Sequence, residues 1–325
     1  MARRTVEDYR APLFIAWQLT NRCQARCLAC CEESGPALGW ADELSAGQAI
    51  SLARRIANAG VPYVAFGGGE PLGVPHAWDL FEALASAGTA IKLETDGRFI
   101  DDAAADRLAA LPVQCVQISV DGASAATHER VRPGGDFKAA VSAIDRLARR
   151  GRPAQLVFVP TRHNLGEMKA VYDLAAGLGC EAFVTGPLMR LGRAARDWER
   201  LAPSQADWSD AVAELRAHAE ARPRDMALSI YPWDIMTELT TRLASPQAML
   251  LVVPNGLVKL LNALPFAVAD LRRDSLAVAW NAYRSAWRSG AVRTFIERCA
   301  SDPRLLLHAN ETWSLDRVPI AIAPI

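Results

Sequence analysis

Cys23, Cys27 and Cys30 lie close enough along the chain for three thiols to converge on one small volume. Thiolates ligate soft metals and iron-sulfur clusters, and this spacing is that of a site-differentiated cluster. A four-iron cluster ordinarily takes four thiolates. Three dedicated ligands therefore leave one iron with an open position, by the logic that separates catalytic zinc sites from closed structural ones. An open iron can bind a cofactor. Plainer readings compete: structural zinc wants four grouped Cys or His ligands, and the nearest histidine, His76, is far along the chain. A disulfide framework fits less well, because the seven cysteines are an odd number and 325 residues can bury a full core without staples. Taken alone, the triplet does not separate a cluster from zinc or chance.

A second signal lies downstream, where the apolar run Tyr63-Val64-Ala65-Phe66 ends in Gly67-Gly68-Gly69-Glu70-Pro71. This reads as a buried strand running into a glycine turn, where the backbone can approach a ligand closely. Glu70 sits beside strand-end carbonyls that can accept hydrogen bonds from an ammonium group. An ordinary strand-to-helix loop would look the same without the cysteines upstream.

With both motifs in place the chain resembles the radical S-adenosylmethionine (SAM) superfamily. The resemblance rests on Cys23-Gln24-Ala25-Arg26-Cys27-Leu28-Ala29-Cys30, then Gly68-Gly69-Glu70-Pro71, Thr95-Asp96-Gly97 and Ile118-Ser119-Val120-Asp121-Gly122, in family order from about residue 12 to about residue 190. Asp96, where relatives usually have Asn, and the additional Cys31 depart from the pattern.

The resemblance implies that Cys23, Cys27 and Cys30 hold one 4Fe-4S cluster whose open iron chelates the amino and carboxylate groups of SAM. One electron, from reduced flavodoxin or ferredoxin by way of the cluster, cleaves the sulfonium to methionine and a 5′-deoxyadenosyl radical, which abstracts hydrogen from a substrate. Gly68, Gly69, Glu70, Pro71 and Thr95 are expected around the methionine ammonium. Ser119 and Asp121 share one strand face and are expected to reach the ribose or methionine end. Arg130 and Arg132 are candidates for the SAM carboxylate, the choice falling on Arg132. Cys31 is read as a buried structural thiol.

These residues need a scaffold that gathers strand ends. Strands are predicted at Leu13 to Leu19, Tyr63 to Phe66, Ile91 to Glu94, Val116 to Val120, Leu156 to Val159 and Ala182 to Thr185. Helical patterns fill the gaps: Ser45 to Ala59, Ala77 to Ala87, Asp102 to Ala110, Phe137 to Arg150 and Leu165 to Leu178. Six βα units in succession imply a parallel sheet with right-handed crossovers, and the motifs fall at C-terminal strand ends, where α/β folds place their chemistry. The predicted fold is α/β, a partial (β/α)6 barrel of the radical SAM type over residues 1–191, with a small α+β extension over 192–325. Cys115 and Cys180 precede their predicted strands and are expected in the core at the barrel bottom.

The extension is predicted to hold a hairpin, Met249 to Val253 and Leu257 to Leu261 around Asn255-Gly256, and helices from Ser275 to Ser289 and Ala291 to Cys299. Val253-Pro254-Asn255-Gly256-Leu257-Val258, followed by Asp270 to Leu276 and Trp280, resembles a SPASM or twitch cap. The auxiliary-cluster cysteines of such a cap are missing, since only Cys180 and Cys299 follow Cys115. Tyr231, Trp233 and Trp280 are candidates for the substrate pocket, although aromatic residues more often pack.

Charge excludes some partners. Lysine plus arginine equals aspartate plus glutamate at 36 each, so no basic excess suggests nucleic acid. Pro254, Lys259 and Pro265 interrupt the apolar stretch from Ala248 to Leu271 and argue against a membrane span. The stretch after Ala2-Arg3-Arg4 is too short for a signal-peptide core, and a reducing cytoplasm suits thiolate ligands. The expected substrate is a ribosomal peptide or a cofactor precursor such as a tetrapyrrole. A sugar or nucleoside intermediate is the alternative, and a non-catalytic zinc or electron-transfer protein the remote one.

Overall fold

Side chains alternate along the first strand, β1 (Phe14–Thr20), which buries Ile15, Trp17 and Leu19 on one face and leaves Phe14, Ala16 and Gln18 half-buried on the other. A computed structural model describes residues 5–222 and 226–315. After β1 come the cysteine loop and α1 (Ala46–Asn58), then β2 (Tyr63–Gly68), α2 (Ala77–Ala85), β3 (Ala90–Thr95) and α3 (Asp102–Ala110). β4 (Val113–Ser119) is followed by α4 (Ala125–Val131) and α5 (Phe137–Arg149), β5 (Gln155–Phe158) by α6 (Met168–Gly177), and β6 (Ala182–Thr185) closes the series. Side-chain caps at Ser45, Asp101, Ser124 and Asp136 start four of these helices by accepting a backbone N–H. In α5, Ala140, Ala143, Ile144 and Leu147 recur at helical spacing and bury one stripe against the sheet.

Neighbouring strands from β1 to β6 pair in parallel, so the partial (β/α)6 barrel is present. Three strand bounds differ from expectation by more than a residue, because strand ends are set by pairing rather than by apolarity. β4 begins at Val113, paired with Ile91. Cys115 therefore lies within that strand, half-buried, instead of preceding it.

Beyond β6 the chain forms α7 (Gly192–Arg196), α8 (Trp198–Leu201) and α9 (Gln205–Glu220). A seventh strand, β7 (Ala227–Ile230), pairs in parallel with β6 and was not predicted. After α10 (Ile235–Ala244), the expected hairpin is β8 (Met249–Val252) and β9 (Leu257–Lys259), and β10 (Phe266–Asp270) follows. α11 (Leu276–Ala286), α12 (Gly290–Ser301) and β11 (Trp313–Ser314) complete the described chain. β8 also pairs in parallel with β1, so the hairpin continues the barrel sheet. Among the described residues the strand order is β11-β10-β9-β8-β1-β2-β3-β4-β5-β6-β7, a sheet open between β7 and β11. No helix among the described residues is long and apolar enough to cross a membrane.

Candidate active site

Three thiols from the loop after β1, those of Cys23, Cys27 and Cys30, line one cavity of about 300 Å³ at the C-terminal ends of the parallel strands. Cross-links to neighbouring elements shape the loop: Cys23 N–H donates to Gly35 O (3.2 Å), Arg26 N–H to Pro133 O (2.7 Å) and Leu28 N–H to Val131 O (2.9 Å). Burial pushes the Cys23 thiol up to about 12 and Cys30 to about 11, and raises Cys27 in the same direction. Without metal these groups stay protonated, and a bound metal must displace their protons. Among the described residues no three His, Cys, Asp or Glu side chains are grouped tightly enough for a single metal ion. A four-iron cube offers each thiolate its own iron, and three thiols spread around one cavity fit that demand.

The glycine turn presses on the root of this loop. A Cβ on Gly69 would sit 2.1 Å from Arg22 O, and one on Gly68, at φ +106, would sit 2.6 Å from Thr20 O. Gly69 N–H donates to Thr20 O at 2.7 Å and Glu70 N–H to Arg22 O at 3.0 Å. These glycines therefore fit the turn backbone against the cysteine loop, in addition to lining the cavity.

Glu70 sits elsewhere than the sequence suggested. Its side chain is fully buried and its oxygens are taken: Oε1 accepts from Leu72 N–H (3.1 Å) and Thr95 Oγ1 (2.8 Å), Oε2 from Asp96 N–H (2.9 Å). Neither Glu70 nor Pro71 is among the cavity-lining residues, whereas Gly68, Gly69, Thr95 and Asp96 are. The hydrogen bonds of the Glu70 carboxylate tie the turn to β3. Burial, then the nearby Asp96 charge, raises its carboxyl above the usual range. Asp96 Oδ2 has no hydrogen-bond partner among the described residues, and the cation paired with it, Arg98 Nε, is 3.9 Å away. Asp96 was read as part of the Thr95-Asp96-Gly97 motif and as a departure from the family pattern, and it was not singled out as an acceptor.

Ser119, Asp121 and Arg132 line the opposite wall. Asp121 Oδ2 accepts from the Arg132 guanidinium at 2.8 Å and Oδ1 from Val159 N–H at 2.7 Å. Asp121 thus positions Arg132, and its oxygens are committed to that task. Arg132 Nε has no partner among the described residues, leaving a donor for a carboxylate. Arg130 is outside this group, with its guanidinium 3.0 Å from His163 Nδ1. An acceptor at Asp96 and a donor at Arg132 suit the ammonium and carboxylate of an amino acid.

A second cavity, about 440 Å³, shares Glu32, Gly67, Gly68 and Glu94 with the first. Its walls are apolar (Phe14, Met189, Ile235, Met249, Leu251, Leu261), apart from the Lys92–Glu94 ion pair at 2.7 Å, Gln18, Tyr231, Glu238 and Asn262. Tyr231 lines it, as expected. Trp233 packs edge-on against Tyr231, and Trp280 is core, stacked on Tyr283 with its indole N–H on Tyr9 O (2.9 Å). Cys31 lines the first cavity and also packs against the core, and Cys180 is in the core.

The comparisons agree with this geometry. Residues 17–175, just under half of the chain, match the family model described as the radical SAM superfamily. The mycofactocin maturase MftC of Mycobacterium ulcerans is 36% identical over 222 residues, 65% of this chain and 59% of that protein. An AdoMet-dependent heme synthase of Methanosarcina barkeri is 32% identical over 185 residues, covering 56% and 52%. The PqqA peptide cyclase of Ruegeria pomeroyi is 30% identical over 228 residues, covering 69% and 60%. The matched regions thus span between about half and three-fifths of these relatives' own length. The fold is that of Streptococcus suis SuiB bound to the precursor peptide SuiA, with a TM-score of 0.69 at 12% identity over 92% of this chain and 71% of that one.

Proposed function

We propose that this protein is a radical SAM enzyme that modifies a peptide or a cofactor precursor. One observation carries the reading: three thiols, a glycine turn, the unpartnered Asp96 oxygen and the Arg132 donor line one cavity, and a second cavity shares its wall. Cys23, Cys27 and Cys30 would hold the cluster, Asp96 and the Gly68–Gly69 backbone would receive the ammonium of SAM, and Arg132, steadied by Asp121, its carboxylate. When bound, the cluster and SAM supply a 5′-deoxyadenosyl radical. Such a radical attacks most C–H bonds it meets, so the chain must exclude water and fix the substrate in contact. The apolar walls of the second cavity suit that task, and the strands after residue 192 serve as its lid. A single cluster suffices, because Cys180 and Cys299 are buried in the core. Reduced flavodoxin or ferredoxin in the cytoplasm is the proposed electron donor. The names of the relatives, a maturase, a peptide cyclase and a heme synthase, support a peptide or a cofactor precursor ahead of a sugar or nucleoside.

The test is anaerobic reconstitution followed by reduction in the presence of SAM. About four irons per chain and release of 5′-deoxyadenosine are expected, with both lost in Cys27→Ala. Stoichiometric zinc, or full SAM cleavage by the variant, would overturn the assignment.

A further inference from the structure

Four backbone carbonyls of the cysteine loop are held by two residues that come after the sixth strand. Arg193 takes three: its N–H donates to Cys30 O (3.1 Å), Nε to Cys27 O (2.6 Å) and a terminal guanidinium nitrogen to Ser34 O (2.8 Å). Asn310 Nδ2 takes the fourth, Cys31 O, at 2.8 Å. The preceding Gly192 lies so close that a Cβ would fall 2.3 Å from Cys31 O and 2.5 Å from Cys30 O, and its φ is +51. The half-buried Arg193 lines the same cavity as the three thiols. None of the ion pairs among the described residues includes Arg193, although the Glu33 carboxylate feels its charge.

We propose that Arg193 is a positioning residue that straps the cysteine loop and holds a positive charge beside the cluster, raising its reduction potential. The inference rests on the proposed function. Reduction would add one electron, supplied by the flavodoxin-type or ferredoxin-type donor, and make the cluster more negative. A fixed cation nearby stabilises that reduced form. Net charge and hydrogen bonding set cluster potentials, and in a partly buried site solvent screens the charge less than at the surface. Position 193 lies outside the stretch that matches the family model, so the strap belongs to this chain's later segment.

The test compares anaerobically reconstituted full-length wild type, Arg193→Gln, Arg193→Lys and Arg196→Gln, reading iron per chain and the reduced fraction in dithionite titrations followed by electron paramagnetic resonance. Arg196 is an exposed neighbour paired with Glu33. At a fixed potential the reduced-to-oxidised ratio should fall about tenfold in Arg193→Gln, a shift of about 59 mV. It should stay near wild type in Arg193→Lys and Arg196→Gln. A loaded Arg193→Gln with unchanged potential overturns the inference, as does an equal shift in Arg196→Gln. If Arg193→Gln takes up no iron, Arg193→Lys decides: wild-type potential supports the proposal, and absence of iron there too overturns it. Failure of wild type to assemble a cluster would instead sink the proposed function.

Discussion

At the scale of single residues, two carboxylates near the glycine turn differ in how they face the cavity. Glu70 sits in the motif, yet its oxygens are filled by Leu72, Thr95 and Asp96. Asp96 is off-pattern, yet one of its oxygens has no partner and it lines the cavity. Asp96→Ala is therefore expected to weaken SAM binding about tenfold, the worth of one charge-assisted hydrogen bond. Asp96→Asn, which keeps an acceptor, should lose less than about threefold. Equilibrium binding on preparations of equal iron content measures both. An unchanged affinity in the alanine variant would return the ammonium to the glycine backbone alone. Sequence reading identified which residues cluster but not which way each side chain turns. Direction depends on contacts such as Thr95 to Glu70, made between strands far apart in sequence.

At the scale of elements, the six βα units were legible because each strand is a short apolar run and the helices between them carry periodic faces, three of the predicted helices behind side-chain caps. Their motifs fall at the strand ends that converge on the cavity. Helix α4, strand β7 and the union of β8 with β1 were not legible. α4 and β7 are short, and β8 is placed by pairing with a strand more than two hundred residues earlier. α4 carries a consequence for stability. Its His128 is buried, and the ring Nδ1 accepts from Asp121 N–H at 3.2 Å, tying the helix to the end of β4. Burial, then the charge of Arg132, lowers this imidazole from 6.5 to about 4. Below pH 6.5 the unfolded chain binds a proton that the folded chain refuses until about pH 4. The contribution is complete above pH 6.5 and is lost progressively as pH falls through that window. Between pH 7.5 and pH 5 the loss is about 2 kcal/mol. His128→Asn keeps an acceptor but does not titrate, so its unfolding midpoint should fall by that much less over the same range. Parallel slopes for the two proteins in urea unfolding would refute the assignment.

At the scale of the whole molecule, two cavities share a wall, and the proposed function assigns chemistry to the first and recognition to the second. The first holds the cysteines, Asp96 and Arg132, and the second mixes apolar walls with Glu32, Gln18, Tyr231, Glu238, Asn262 and the Lys92–Glu94 ion pair. β8 supplies Met249 and Leu251 to the second chamber, so strands late in the chain complete the pocket that earlier strands begin. A peptide residue entering it would bury its side chain among Phe14, Met249 and Leu251 and meet Lys92 and Glu94 with its polar backbone. The half-buried Lys92 ammonium, 2.7 Å from Glu94, is placed to orient that backbone without touching the cysteine loop. Lys92→Met retains the length and apolar stem of the side chain and removes the charge. Substrate-dependent product formation should then fall at least about tenfold, the cost of one charge-assisted contact. Substrate-free formation of 5′-deoxyadenosine should stay within about twofold of wild type, because Lys92 itself does not line the first chamber. Both rates are read from one preparation by chromatography of 5′-deoxyadenosine and of modified substrate. A parallel fall in the two would place Lys92 in SAM binding or in the fold, and no fall in either would move substrate recognition away from this chamber.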